Sequence, residues 1–344
     1  MASAMRATRP WHDQRVTALT RRPATAADVA ARAGVSRATV SHILNGRQEN
    51  FLPETRDRVL QAAEELDYRP SPAGRNLVRG RGDTIVLLVP RSTIGQNQQR
   101  AMERLTGYAT AIGANAVLRF ADSDPDSTAT AVLRLRPLAV VDLGALTAAT
   151  HDRLERQGVP TVPRPRGDAD DTADIEDGIA ELQVAESTRR GQRQVVYASL
   201  LDEQPDPWSP RRLAALTRAT AQRGLEPPVA VAVPPESDAA TQTLAPLLAS
   251  TPLAVCAYND VVALAVLAAA RRLGRAVPDE LSIVGVDHTP YGQLVEPRLS
   301  TISIDMNQVV DHAVAELGDL RGAGASAVNA AAGPILTLVR GGTS

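Results

Sequence analysis

The residues with the clearest chemical potential stand close together near the start of the chain. Between Ser36 and Leu44, Arg37, Thr39, Ser41 and His42 alternate with Val40 and Ile43. On a helix the apolar pair turns inward and the polar set shares the outer side. Such a face suits nucleic acid: Arg can donate two parallel bonds to guanine O6 and N7, and hydroxyls can hold phosphate oxygens. His42 would be a weaker, pH-sensitive reader. The bland alternative is a plain helical hairpin, but a second apolar stripe is missing.

A second set comes later and points to a different chemistry. Asn259 and Asp260 follow the apolar run Ala254–Ala257, and Asp287 directly follows Ser282–Val286. In open α/β sheets, ligands bind beyond the carboxyl ends of strands. Asn259 and Asp287 are thus candidate hydrogen-bonding groups for a small molecule, and Asp260 is expected to cap the next helix.

The elements that must position the first set are legible. Thr25 can cap a helix that has Asp28 in its first turn, and Ser36 can cap the next. Gly34 falls where the chain must turn sharply with positive φ, a conformation Gly adopts freely. Ala30 is small where two helices would cross, and Val29, Val35, Val40 and Ile43 supply a shared apolar face. A third helix is expected after Pro53, burying Val59, Leu60, Ala63 and Leu66. It completes a three-helix core of about 45 residues, marginal alone. The organisation expected is an N-terminal extension (1–22, disordered), a helix-turn-helix headpiece (23–69), a hinge helix and linker (70–82), and a large domain (83–341).

From Thr84 the pattern changes to alternating strands and helices. Strands are expected at Thr84–Val89, Ala116–Phe120, Leu138–Val141, Val159–Val162, Gln194–Tyr197, Val229–Val233, Ala254–Ala257 and Ser282–Val286. Helices are expected over Gln98–Ile112, Thr150–Gln157 and Met306–Leu317. Two successive βαβ arrays predict an α/β fold of two doubly wound subdomains with a cleft between them. Their expected extents are 83–162 with 299–322, and 170–290 with 332–341.

Charge separates the same two regions. Residues 1–80 carry 13 Arg and 8 Asp or Glu, whereas the remaining 264 residues carry 24 Arg and 31 acids. A basic end on an acidic body is the pattern of a protein that meets nucleic acid at one end. All 37 basic residues are Arg. The lone Cys256 excludes an intramolecular disulfide or a Cys-rich zinc site. No apolar run reaches membrane-spanning length, and Met1–Arg22 lacks the apolar core of a secretory signal. A cytoplasmic protein without membrane contact is expected. No Gly-x-Gly-x-x-Gly, Walker, Gly-x-Ser-x-Gly or clustered-His motif is present, so no enzyme, cofactor or metal is expected.

The run "ADVAARAGVSRATVSHILNG" through "LPETRDRVLQAAEELDYRPSPAGRNLVRG" resembles the headpiece and hinge of the LacI/GalR family of bacterial repressors. The later segments Ala257–Asp260, Gly274–Asp287 and Pro297–Ile302 resemble that family's effector domain, which is like the periplasmic binding proteins. The resemblance implies a homodimer on a near-palindromic double-stranded operator, modulated by a small-molecule effector. By position it implies base reading by Arg37, Ala38 and His42. It places Thr39, Ser41 and Asn45, with the caps Thr25 and Ser36, at the DNA backbone or the turn. Arg75 and Leu77 fall in the minor-groove hinge, with Leu77 as the apolar wedge. Gly74 weakens that hinge as a helix, so the hinge is expected to fold on DNA.

In the large domain the resemblance adds Arg212, within Ser209-Pro-Arg-Arg212, to Asn259 and Asp287 as effector contacts. Alternatively, Arg212 and Asp287 form a structural ion pair across the cleft. The chain departs from a sugar site in having nine aromatics and no ring in the loops after Val89, Val162 and Val233. Trp208, Tyr258 and Tyr291 remain as walls. A polar or anionic ligand meeting Arg91 or Arg212 is one expectation, and an effector-blind domain that only dimerises is the other.

Overall fold

The computed structural model describes residues 24–44, 48–69, 82–91, 95–164, 171–201, 208–250, 252–320 and 333–344. The N-terminal extension, Asn45, and the hinge with Gly74, Arg75 and Leu77 lie outside the described residues. The chain divides into two compact units, Met1–Gly80 and Arg81–Ser344.

The first unit is a small helical core. Helix α1 (Ala26–Ala33) opens with a capping box: the Thr25 hydroxyl accepts from Asp28 N, and the Asp28 carboxylate accepts from Thr25 N at 2.8 Å. This satisfies donors that a helix start leaves open. Gly34 ends α1 at φ 68°, which turns the chain into α2 (Arg37–Leu44). Ser36 Oγ accepts from Thr39 N at 3.1 Å, in the manner of a cap. Helix α3 (Pro53–Glu65) begins on Pro53, whose missing N–H is harmless at that position. Val29, Val40, Ile43 and Val59 are fully buried beside Ala30, Ala33, Ala62 and Ala63. Leu60 instead points outward, 42% exposed. The inward phase of α3 is Val59, Ala62, Ala63 and the half-buried Leu66, spaced i, i+3, i+4, i+7. Arg32 ties α1 to α3 through Glu65 at 2.6 Å.

The second unit contains two sheets. Strands β1 (Thr84–Val89), β2 (Asn115–Phe120), β3 (Ala139–Asp142) and β4 (Thr161–Val162) form a parallel sheet in the order β2-β1-β3-β4. Strands β5 (Gln194–Leu200), β6 (Val229–Val233), β7 (Leu253–Ala257), β8 (Leu281–Val286), β9 (Ser300–Ile304) and β10 (Leu336–Val339) form the larger sheet, ordered β10-β9-β8-β7-β5-β6. Only β10 runs antiparallel within it. Central strands β7 and β8 are buried at every position, as expected of strands covered by helices on both faces.

One boundary differs from expectation. The sequence places residues 299–322 with the first subdomain, but β9 pairs with β8 through Val284↔Ser300 and Val286↔Ile302. It is a strand of the larger sheet. Ile302 and Ile304 nevertheless join the core of Ile85, Leu87 and Leu105, as do Val310, Ala313, Val314 and Leu317 of the helix Met306–Leu320. The crossing segment therefore divides between the two subdomains. The apolar side of the helix Met306–Leu320 is packed in this core, and Asp311 is fixed by Arg104 at 2.6 and 2.8 Å. Among the described residues, no helix is long and apolar enough to cross a membrane.

Candidate nucleic-acid interface and ligand cleft

Helix α2 buries Val40 and Ile43 and turns the rest of its surface out. Arg37, Ala38, Ser41 and His42 are exposed, and Thr39 is half-buried. The Thr39 hydroxyl lies 2.9 Å from Ser36 Oγ, so these two brace the turn into the helix. The His42 ring packs 6.3 Å from Phe51, which limits its orientation without covering it. Because α2 is anchored by two fully buried side chains and a capped start, its outer face is rigid. Rigid presentation is what a base-reading surface requires.

In the large unit, Asp287 leaves the end of β8 with φ 101°, and His288 follows at φ 48°. Two successive non-glycine residues at positive φ are uncommon and hold conformational strain. A bond from Asp287 N to Ile302 O at 2.8 Å fixes this turn. Asn97, buried on the helix Gln96–Ala111, donates from Nδ2 to Asp287 Oδ1 at 2.8 Å across the two subdomains. Burial pushes the Asp287 carboxyl up to about 6, against the pull of Arg212; Asp260 raises it further and Arg100 lowers it. The residue keeps partial solvent access, as the floor of a cleft would.

Arg212 lies within reach of the Asp287 charge and is held on three sides. Its Nε donates to Glu176 Oε2 at 2.8 Å, an NH group donates to the Tyr258 carbonyl, and its guanidinium lies 4.6 Å from the centre of the Tyr258 ring. The side chains of Arg212 and Glu176 are only 11% and 7% exposed. Burial lowers the Arg212 pKa, but Glu176, Tyr258 and Asp287 more than compensate, so the group is firmly charged. The ion-pair partner of Arg212 is therefore Glu176, with Asp287 acting on it through its charge.

Asn259, and not Asp260 as expected, caps the next helix, Asp260–Arg272, its side chain accepting from Val262 N at 3.0 Å. Asp260 is fully buried and accepts from Thr289 N at 2.6 Å, Thr289 Oγ1 at 3.0 Å and Thr301 Oγ1 at 2.5 Å. It is thus a brace for the loop that carries Asp287. Gly285 makes this approach feasible, since a Cβ there would sit 2.3 Å from Asp260 Oδ1. The Asn side chain reaches the helix N–H from one residue earlier, where the backbone is still extended.

The structure thus brings Arg212, Tyr258 and Asp287 together. Arg91 is exposed immediately after β1, and Arg100 is the arginine whose charge acts on Asp287. Tyr291 is 68% exposed. Glu176, Asn97 and Arg100 were missed by sequence reasoning. Asn97 and Arg100 sit on the helix Gln96–Ala111 and Glu176 on the helix Asp171–Ser187, where no local spacing marks them.

A pH-dependent prediction follows from Asp287. A carboxyl whose pKa rises on folding makes the native state bind protons more tightly than the unfolded chain. Stability therefore falls as pH climbs from about 4 to about 6 and stays lowered above. Asp287→Asn removes this penalty. Thermal melts should show the variant about 1–2 kcal/mol more stable than wild type at pH 7.5 and no more stable at pH 4.

The comparisons with known proteins divide along the same lines. Residues 25–71 match the family model for bacterial regulatory proteins of the lacI family, and residues 184–344 match a periplasmic binding protein-like domain. Catabolite control protein A of Priestia megaterium is 27% identical over 292 residues, covering 80% of this chain and 86% of that protein. The same protein of Staphylococcus xylosus is 25% identical over 285 residues, covering 80% and 85%. Among solved structures, a lac repressor dimer bound to operator and the anti-inducer ONPF superposes with a TM-score of 0.73 at 22% identity, covering 93% of this chain and 99% of that one. A complex of the regulator CelR with cellobiose gives 0.57 at 20% identity, covering 93% and 100%. At these identities the structural likeness establishes the fold.

Proposed function

We propose a mechanism for what the chain is, a LacI-family transcriptional regulator: it represses as a homodimer on a near-palindromic operator and responds to a small effector in the cleft. The observation that carries the DNA reading is the outer face of α2, where Arg37, Ala38 and His42 stand exposed over a buried core. One such helix reads too few base pairs to specify a site, so two copies related by a two-fold axis are required. Dimerisation is in keeping with the large apolar side chains Val261, Tyr291 and Leu294, left 55%, 68% and 82% exposed. Arg75 and Leu77 would enter the minor groove between half-sites. The protein would act in the cytoplasm, where its DNA is.

The effector reading rests on the groups gathered at the subdomain junction: Asp287 on a strained turn, linked by Asn97 to the opposite subdomain. A ligand that replaces the Asn97–Asp287 bond changes how the two subdomains are held, which is the differential contact a switch needs. The test is to select bound DNA from a random duplex pool and screen metabolites for release of that DNA. Release by some metabolite, lost in Asp287→Ala, is expected. A null result over a broad panel would favour a domain that serves only to dimerise.

A further inference from the structure

The charge state of the cleft determines what class of ligand it can take. Its guanidinium is the group that would attract a phosphate or carboxylate, but Arg212 already donates to Glu176 at 2.8 Å and is faced by the Tyr258 ring. Both charges of this pair are buried, so an entering anion would be desolvated beside Glu176 and Asp287, and the other arginine whose charge reaches Asp287, Arg100, acts on the Asp305 carboxylate as well. The hydrogen-bonding capacity left over is of the opposite kind. A carboxylate only accepts, so Asn97 must turn Nδ2 toward Asp287. Its Oδ1 is then a buried acceptor without a partner, and Gln96 Oε1 is another. Asn97 is only 9% exposed, and a buried acceptor left unmatched is costly unless a donor arrives.

We propose that Glu176 is the charge-selecting residue of this cleft. By cancelling Arg212 it excludes phosphorylated and carboxylated compounds. It leaves a site for amino or polyhydroxy ligands that donate to Asp287 and Asn97. The inference rests on the effector reading of the cleft, but it makes its own demand on the protein without DNA.

Inorganic phosphate is the probe. Calorimetry on the full chain should show no saturable phosphate binding to wild type. Glu176→Gln, which keeps an acceptor for Arg212 Nε but removes the charge, should bind phosphate at least about tenfold more tightly. Adding Arg212→Gln to that variant should abolish the gain. Circular dichroism checks that the variants are folded. The wild-type protein provides a second arm that needs no variant to fold: among screened metabolites, those that bind should carry no net negative charge. Phosphate binding equal in wild type and Glu176→Gln, absence of the gain in a folded Glu176→Gln, or a wild-type anionic ligand displaced by phosphate would each overturn the proposal. Failure of the effector reading is a separate outcome, seen as DNA release by no metabolite while the phosphate result stands.

Discussion

Arg212→Ala should lower the stability of the large unit by about 3–5 kcal/mol, the usual loss when one member of a buried ion pair is removed. The cause is less the lost attraction than the charge left behind. Glu176, 7% exposed at its side chain, would lose its guanidinium partner, and the Tyr258 carbonyl would lose a donor. Asp287 would lose the cation that most restrains its pKa and would take up protons at higher pH than in wild type. At about 2–4 °C per kcal/mol for a unit of this size, the melting point should fall by roughly 6–20 °C. Differential scanning calorimetry reads this directly. A loss within about 0.5 kcal/mol would mean the pair is open to water and that the description of the cleft is wrong.

Ile43→Ala should abolish DNA binding while leaving the melting of the large unit unchanged. Ile43 is fully buried among Val29, Val40 and Val59, and truncating such a residue costs about 2–5 kcal/mol. A three-helix core of this size has little more than that to lose. The headpiece would then be largely unfolded at 37 °C. Because the two units are separate compact bodies, calorimetry should show loss of the small transition alone. Retention of operator affinity by the variant would show that α2 is not the DNA-binding element.

Much of this architecture is legible in the sequence because local signals agree with one another. Thr25 and Asp28, Gly34, Ser36 and Pro53 all stand at positions where only one chain geometry satisfies them, and the helices form there. The strands are legible for a similar reason: runs such as Thr84–Val89 and Leu281–Val286 are apolar apart from Thr84 and Ser282, and almost every position in them is buried. The phase of α3 was harder, since Leu60 and Ala62 differ in hydrophobicity opposite to their burial. Ala62 is buried in the same cluster as Ala30 and Ala33 of α1, where a small side chain fits.

The surroundings of Asp287 are legible only in part. The strand-end rule singles out Asp287 and the resemblance Arg212, and the structure places the two within reach of each other's charge. Glu176 could not be found that way, because its importance comes from contact with a residue 36 positions away. A single Glu in Ile175-Glu-Asp-Gly-Ile179 reads as solvent-facing until tertiary packing encloses it. The choice of Asn259 over Asp260 as the cap has the same origin. Both types cap helices well, and the choice is made by Thr289 and Thr301, which enclose Asp260 from the next strand and loop.

The central claim is that this chain reads a two-fold symmetric DNA site through the outer face of α2. Parallel selections from a random duplex pool, with wild type and with Arg37→Ala, test it most directly. The wild-type pool should converge on inverted half-sites. In the Arg37→Ala pool the same site should persist with preference relaxed at one base pair in each half, and affinity for the wild-type site reduced at least about 30-fold, since a bidentate pair worth about 1–3 kcal/mol is lost in each half. A wild-type pool without two-fold symmetry, or identical preferences in the two pools, would contradict the account.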